Sequence, residues 1–255
     1  MLYLTGDTHS DFTRFSVRHF PEQKEMGRDD TVVILGDFGG IWAQHKTPEE
    51  KYKLDWLNDR PFTLCFVDGN HENYDRLYGD EFPVVDYHGG KAHRICENVF
   101  HLMRGHIFDF DGKAFFVMGG ASSHDIRDGI LDQDDYYDPD EFEKIYREWW
   151  LANKMFRVNH ISWWEQELPS EEEMDFAASN LERVDYTVDY VLSHCLPRNV
   201  AAALGYRDND SLNVFFDSLL DRGLTFSHWH CGHYHTTTDI LGQYHVHYYD
   251  MERLL

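Results

Sequence analysis

The chain has 255 residues and a mass of 30.2 kDa, enough for one layered domain with a substantial core and too short for two large ones. Its 46 acidic against 23 basic side chains leave a formal charge of −23. That charge repels a phosphate backbone and an anionic lipid surface, so neither duplex nucleic acid nor a membrane is an expected partner.

Taken in chain order, short apolar runs at Leu2–Leu4, Thr31–Leu35, Phe62–Val67, Phe115–Met118, Tyr190–Leu192 and Phe226–Trp229 read as buried strands. Several are closed by Gly, Asp, Asn or His, which delivers polar side chains at strand ends. A helix is expected from Pro48 to about Asn58, with acidic residues in its first turn. Between Ala92 and Met118, β-like pieces flank Asp111-Gly112, a hairpin signal. The segment from about Ser122 to Glu173 is rich in acidic and aromatic residues, with Trp149-Trp150 and Trp163-Trp164. It reads as a partly helical insertion or lid, its tryptophans forming a small core of their own or, in the weaker alternative, stacking on a ligand. Ser170 and Glu173 make a capping box for a helix to about Arg183, and Asp210 caps one that Gly223 ends. Strands alternating with helices imply an α/β layered fold. The 4 cysteines are scattered, and the N-terminal residues lack the layout of a secretory leader, so a cytoplasmic globular protein is expected.

Five strings of metal-ligating residues follow these strands: Gly6-Asp7-Thr8-His9, Leu35-Gly36-Asp37-Phe38-Gly39-Gly40, Asp68-Gly69-Asn70-His71-Glu72, Ser193-His194 and Cys231-Gly232-His233-Tyr234-His235. If Asp7 and His9 sit on extended chain they point the same way and reach one ion, and so do His233 and His235. Each string alone also fits an ordinary feature. Asp7 can cap a helix near Phe12–Phe20, Asp37 can hold an Asx turn, Gly69-Asn70 suits a loop, and the last two strings fit a lone histidine and a polar strand edge. Their shared order beside successive strands is what makes the set specific.

On these strings the sequence resembles the calcineurin-like metallophosphoesterase superfamily, over Met1 to about Asp250 with a weaker match between Ser122 and Glu173. The resemblance implies a single domain, a two-sheet β-sandwich flanked by helices, with a dinuclear metal site at the strand ends. It implies Asp7, His9, Asp37 and His235 as ligands of one metal. Asp37, Asn70, His194 and His233 would hold the second, with Asp37 bridging, and His71 would be the catalytic histidine. Two divalent ions (Mn, Fe or Zn) and a phosphate-ester substrate, attacked by a metal-bridging hydroxide, are implied with it. The pattern departs at Gly40, where the superfamily commonly carries a second Asp that supports the catalytic histidine; Asp68 and Glu72 are the nearby carboxylates that could substitute. An inactive metal-binding interaction module on the same fold is the rival reading. No Arg follows the second string, which lowers the expectation of a phosphoprotein substrate. Arg127, Arg198 and His124 lie near strand ends and are candidates for contacting phosphate or for ordinary surface pairing.

Overall fold

The computed structural model describes residues 1–207 and 209–255. Two mixed sheets pack face to face. The first runs in the order Glu252–Arg253, Leu2–Thr5, Thr31–Leu35, Thr63–Val67, Val99–Leu102, Gly90–Cys96, Val84–Tyr87. The second runs Thr238–Ile240, Tyr244–Val246, His228–Cys231, Tyr190–Ser193, Lys113–Met118, Ile107–Phe110. In each, the central strands are parallel and the edges antiparallel.

Why the central strands read as unbroken apolar runs is visible in their packing. Leu2, Leu4, Val33, Leu35, Cys65 and Val67 face the second sheet and meet Phe108, Phe115, Val117 and Leu192. The alternate residues Tyr3, Val32, Ile34, Leu64 and Phe66 face outward onto Leu54 and Leu57 of the helix Pro48–Asn58. On the far side of the second sheet, Phe116, Val191 and Trp229 pack against Ala177, Leu181, Leu212, Phe216 and Leu219. These belong to the helices Glu171–Glu182 and Ser211–Asp221. Both faces of the central strands are therefore buried, and period-2 polar alternation has no place in them. The result is the four-layer α/β arrangement of helix, sheet, sheet, helix.

Local signals act where the sequence put them. Thr47 and Asp210 cap their helices through side-chain oxygens, and Ser170 and Glu173 close both halves of a capping box. Asp111 and Gly112 both take positive φ (53° and 76°), as a two-residue hairpin turn requires. The expected helix near Phe12–Phe20 is instead a single 3-10 turn at Thr13–Phe15, capped by no side chain.

Between Ser122 and Glu173 the chain leaves the sheets. It forms a parallel pair of its own, Gly129–Leu131 with Phe156–Val158, and a helix Pro139–Leu151 in which no residue is buried. The tryptophans divide rather than forming one core. Trp149 packs edge-on to Phe156 at 5.3 Å, and Trp150 is exposed. Trp164 is buried against Trp42 of the main body, with its Nε1 donating to Asp75 at 2.7 Å. No helix among the described residues is long and apolar enough to cross a membrane.

Candidate metal centre

Because the central strands of each sheet run parallel, their C-terminal ends share one edge, where open α/β sheets place their sites. All five ligand-rich strings emerge there. Asp7, Asp37, Asn70 and His194 are buried, His9 and His233 partly so, and His235 is more open.

The strings do not converge through extended chain, contrary to the alternation argument. His9, Asp37, His233 and His235 all have positive φ, at 44°, 49°, 71° and 48°. Such left-handed backbone on non-glycine residues is strained and survives where surroundings over-determine it. Here the turns re-aim side chains. His233 goes toward His194, with ring centroids 4.9 Å apart, while His235 turns to Asp7, Nε2 to Oδ2 3.1 Å. The two histidines thus face different partners, although they are only two residues apart.

One oxygen of each carboxylate is fixed by main chain. His233 N donates to Asp7 Oδ1 at 2.9 Å, and His71 N donates to Asp37 Oδ1 at 2.8 Å. The other oxygens approach His9 Nε2, at 3.9 Å from Asp7 Oδ2 and 3.7 Å from Asp37 Oδ2. His9 Nε2 and His235 Nε2 lie 3.0 Å apart. Ligand atoms of Asp7, His9, Asp37 and His235 all fall within 4.8 Å of one another.

His194 continues the centre on the other side of Asp37, with Nε2 3.3 Å from Asp37 Oδ1. Its Nδ1 bonds the Leu35 carbonyl at 2.8 Å, which fixes the tautomer and leaves Nε2 facing inward. Gly36 is obligatory beside it: φ is +97°, and a Cβ there would fall on the His194 ring. Asn70 Nδ2 donates to Ser123 Oγ at 3.3 Å, so its Oδ1 remains over.

Three buried atoms in this group, Asp7 Oδ2, Asn70 Oδ1 and His194 Nε2, have no hydrogen-bond partner of proper geometry. A folded chain rarely leaves such atoms unsatisfied. Oxygen and imidazole nitrogen converging in this way fit a divalent transition ion, so the donor set suits metal. Electrostatics agree. Burial alone would depress the His194 pKa, but the Asp37 and Asp7 carboxylates override it and raise it to about 10. A proton on His194 thus supplies positive charge where a cation would, and metal binding must displace it. Burial also pushes the His233 ring well below its ordinary value, which favours the neutral form a ligand needs.

His71 faces a cleft of about 550 Å³ whose walls include His9, Gly39, Gly40, Trp42, Lys53 and Arg157. Its ring stacks on Trp42 at 5.5 Å and meets His9 edge-on at 4.7 Å. Neither expected substitute for the missing carboxylate reaches it. Glu72 is fully buried and accepts from the backbone N–H groups of Phe38 and Gly39 at 2.7 and 3.3 Å, bracing the turn after Asp37. Asp68 accepts from His101, Tyr74 and Arg104 at 3.0, 2.9 and 2.7 Å, beneath the loop that carries Asn70. Gly40 is explained by packing: in this conformation a Cβ would run into the Phe38 ring.

Of the candidate phosphate contacts, His124 lies at the centre, its Nε2 3.3 Å from His233 Nε2. Arg198 is instead paired with Asp217 at 3.0 Å. Arg127 is exposed and does not line the cleft. The sequence reading missed Arg157, Trp42 and Lys53 on the cleft wall, and Arg14 behind Asp7. Arg14 is buried and donates to Thr5 Oγ1 and to the carbonyls of Gly6 and Asp7, at 2.7, 3.0 and 2.6 Å. No local pattern marks any of the four.

A calcineurin-like phosphoesterase family model matches residues 2–237. The chain belongs to that family. No curated protein sequence matches it significantly. Calcineurin-like phosphoesterases are generally metal-dependent hydrolases that bind two divalent ions, in keeping with the donor set at the strand ends.

Proposed function

We propose that this protein is a dinuclear metal-dependent phosphoesterase hydrolysing a phosphate monoester or diester. The observation that carries the reading is the set of three buried, unpartnered ligand atoms, Asp7 Oδ2, Asn70 Oδ1 and His194 Nε2, at one edge of the two sheets. Asp7, His9, Asp37 and His235 would hold one cation. Asn70, His194 and His233 would hold the second, with Asp37 shared; the mixed donors suit Mn, Fe or Zn. When bound, the two ions would supply positive charge for the phosphoryl oxygens and make water acidic enough to attack phosphorus near neutral pH.

The protein's own groups position the rest. Main-chain N–H groups hold one oxygen of Asp7 and one of Asp37, so the second oxygen of each stays available. Leu35 and Ser123 do the same for His194 and Asn70. Glu72 locks the turn that carries Asp37. His71, on the cleft wall, would pass a ring proton to the leaving-group oxygen, a contribution of about 10²–10⁴-fold. The reading as an interaction module rests on Gly40, which supplies no carboxylate.

The test is hydrolysis of p-nitrophenyl phosphate and its bis-ester with Mn²⁺, comparing wild type with Asp37→Asn. Turnover of either ester by wild type, reduced about 10³-fold or more in the variant, is the expected result. The ratio of the two rates separates monoesterase from diesterase. A wild type that binds two metals yet is silent with Mn²⁺, Zn²⁺, Fe²⁺ and Ni²⁺ would instead support the module.

A further inference from the structure

We propose that Arg157, carried by the excursion between Ser122 and Glu173, is a catalytic residue that binds the substrate's phosphate from the side of the cleft where His71 stands. This rests on the phosphoesterase reading and adds to it a residue outside all five ligand strings.

Arg157 sits on the strand Phe156–Val158, far from the metal-ligand strings in sequence, yet its side chain is only 13% exposed and lines the cleft beside His9 and His71. Its guanidinium is held rigidly. Nε lies 2.8 Å from both oxygens of Asp125, Nη2 is 2.7 Å from Asp125 Oδ2, and Nη1 donates to the Ser162 carbonyl at 3.1 Å. A guanidinium offers five N–H donors in a planar fork. Asp125 engages the Nε and Nη2 edge and Ser162 one Nη1 hydrogen, so a donor on each Nη is left. Nη2 lies 3.4 Å from His71 Nε2, too long for a good hydrogen bond. The remaining donors, one on Nη1 and one on Nη2, can meet oxygens of a phosphoryl group in the cleft.

The charge balance of the cleft points the same way. The chain carries −23, and Glu49 stands on the cleft wall beside Glu50, whose carboxylate is paired with Arg76 at 2.7 Å. Lys53, the other cation there, is 2.8 Å from Glu49 and 2.9 Å from Ser10. Asp125, which anchors Arg157, is 47% exposed, so water screens its charge more than that of the guanidinium. In hydrolysis a bond forms from water oxygen to phosphorus, the bond to the leaving oxygen breaks, and negative charge grows on the phosphoryl and leaving oxygens. Arg157 stabilises that charge by donation and keeps its own protons; the leaving oxygen takes its proton from His71 or water. Fixed donors aimed where charge develops need no reorganisation during the step.

The experiment compares wild type, Arg157→Ala and Arg157→Lys in the metal-loaded full chain. It reads kcat and KM on whichever nitrophenyl ester wild type cleaves, the Kd of inorganic phosphate by calorimetry, and the melting temperature. The alanine variant should lose about 100-fold in kcat/KM and bind phosphate roughly tenfold more weakly, with a melting temperature within a few degrees of wild type. Added guanidinium ion should restore part of its rate, and the lysine variant should fall between alanine and wild type. Rates and phosphate affinity within twofold of wild type in both variants would overturn the proposal. So would a loss accompanied by a lowered melting temperature and no guanidinium rescue, because it would make Arg157 a structural tie to Asp125. If wild type cleaves no ester, the phosphoesterase reading fails on its own, and the phosphate titration still decides whether Arg157 binds phosphate.

Discussion

Two histidine-rich clusters grow from the same strand, His228–Cys231, and they are satisfied in opposite ways. At the strand's end, His233 and His235 join Asp7, His9, Asp37, Asn70 and His194, and three buried ligand atoms are left over. Along the strand and its neighbour, each imidazole pair ends on a single carboxylate. His245 links Asp239 at 2.6 Å to His228 at 2.9 Å, and His247 links Asp250 at 2.6 Å to His230 at 2.9 Å. The same carboxylate–imidazole–imidazole chain occurs twice, two residues apart, with the His230 and His245 rings stacked at 4.9 Å. His230, His247 and Glu252 also have ligand atoms within 4.8 Å of one another, but within that ladder the unpartnered buried atom is His230 Nε2. Residue type and proximity are therefore shared by both clusters. What separates them is whether the lone pairs meet protons or converge on one another.

The comparison breaks if the two clusters respond alike to substitution. Asp37→Asn carries the largest expected effect, loss of turnover by about 10³-fold or more. It should also abolish the rise in melting temperature on adding Mn²⁺; at a hundredfold excess over Kd, that rise corresponds to about 2.7 kcal/mol in wild type. His247→Phe should do the reverse. It leaves the buried His230 without its partner and costs about 1–3 kcal/mol in denaturant unfolding, while kcat stays within about threefold and the metal-induced stabilisation persists. Equal activity losses in the two variants would mean that the ladder belongs to the catalytic site.

Glu167 sharpens the contrast with a smaller effect. Burial raises its pKa from 4.5 to about 7, against the hydrogen bonds from Ser123 that lower it. Between those values the folded chain holds a proton that the unfolded chain has released, so stability falls as pH rises through that window. The loss is at most roughly 3 kcal/mol, at about 1.4 kcal/mol for each pH unit of that window. Glu167→Gln should flatten the dependence of the melting temperature on pH from 5 to 8. A slope unchanged in the variant would place the titrating group elsewhere.

The strands buried on both faces were legible as apolar runs, and the helices at Pro48, Ser170 and Asp210 as caps, because each signal is local. The last of the expected strands was displaced: Phe226–Trp229 was expected and His228–Cys231 is found, since buried histidines pair in register there and histidine does not read as apolar. The strings of Asp, Asn and His that meet at the strand ends were legible from composition and order. How they converge was not, because positive φ at His9, Asp37, His233 and His235 leaves no mark in residue type. The supporting groups were hidden for another reason. Glu72 reaches Phe38, Ser123 reaches Asn70 and Arg157 reaches His71 across long stretches of chain, through contacts that only the folded layers create.

If the strand-end cluster is a dinuclear metal centre with Asp37 shared, the number of ions the chain retains depends on Asp37. After loading with Mn²⁺ and gel filtration, wild type should retain two ions per chain by elemental analysis, Asp37→Asn at most one, and His247→Phe two. Retention of two ions by Asp37→Asn, or fewer than one by wild type across Mn²⁺, Fe²⁺ and Zn²⁺, would contradict the account.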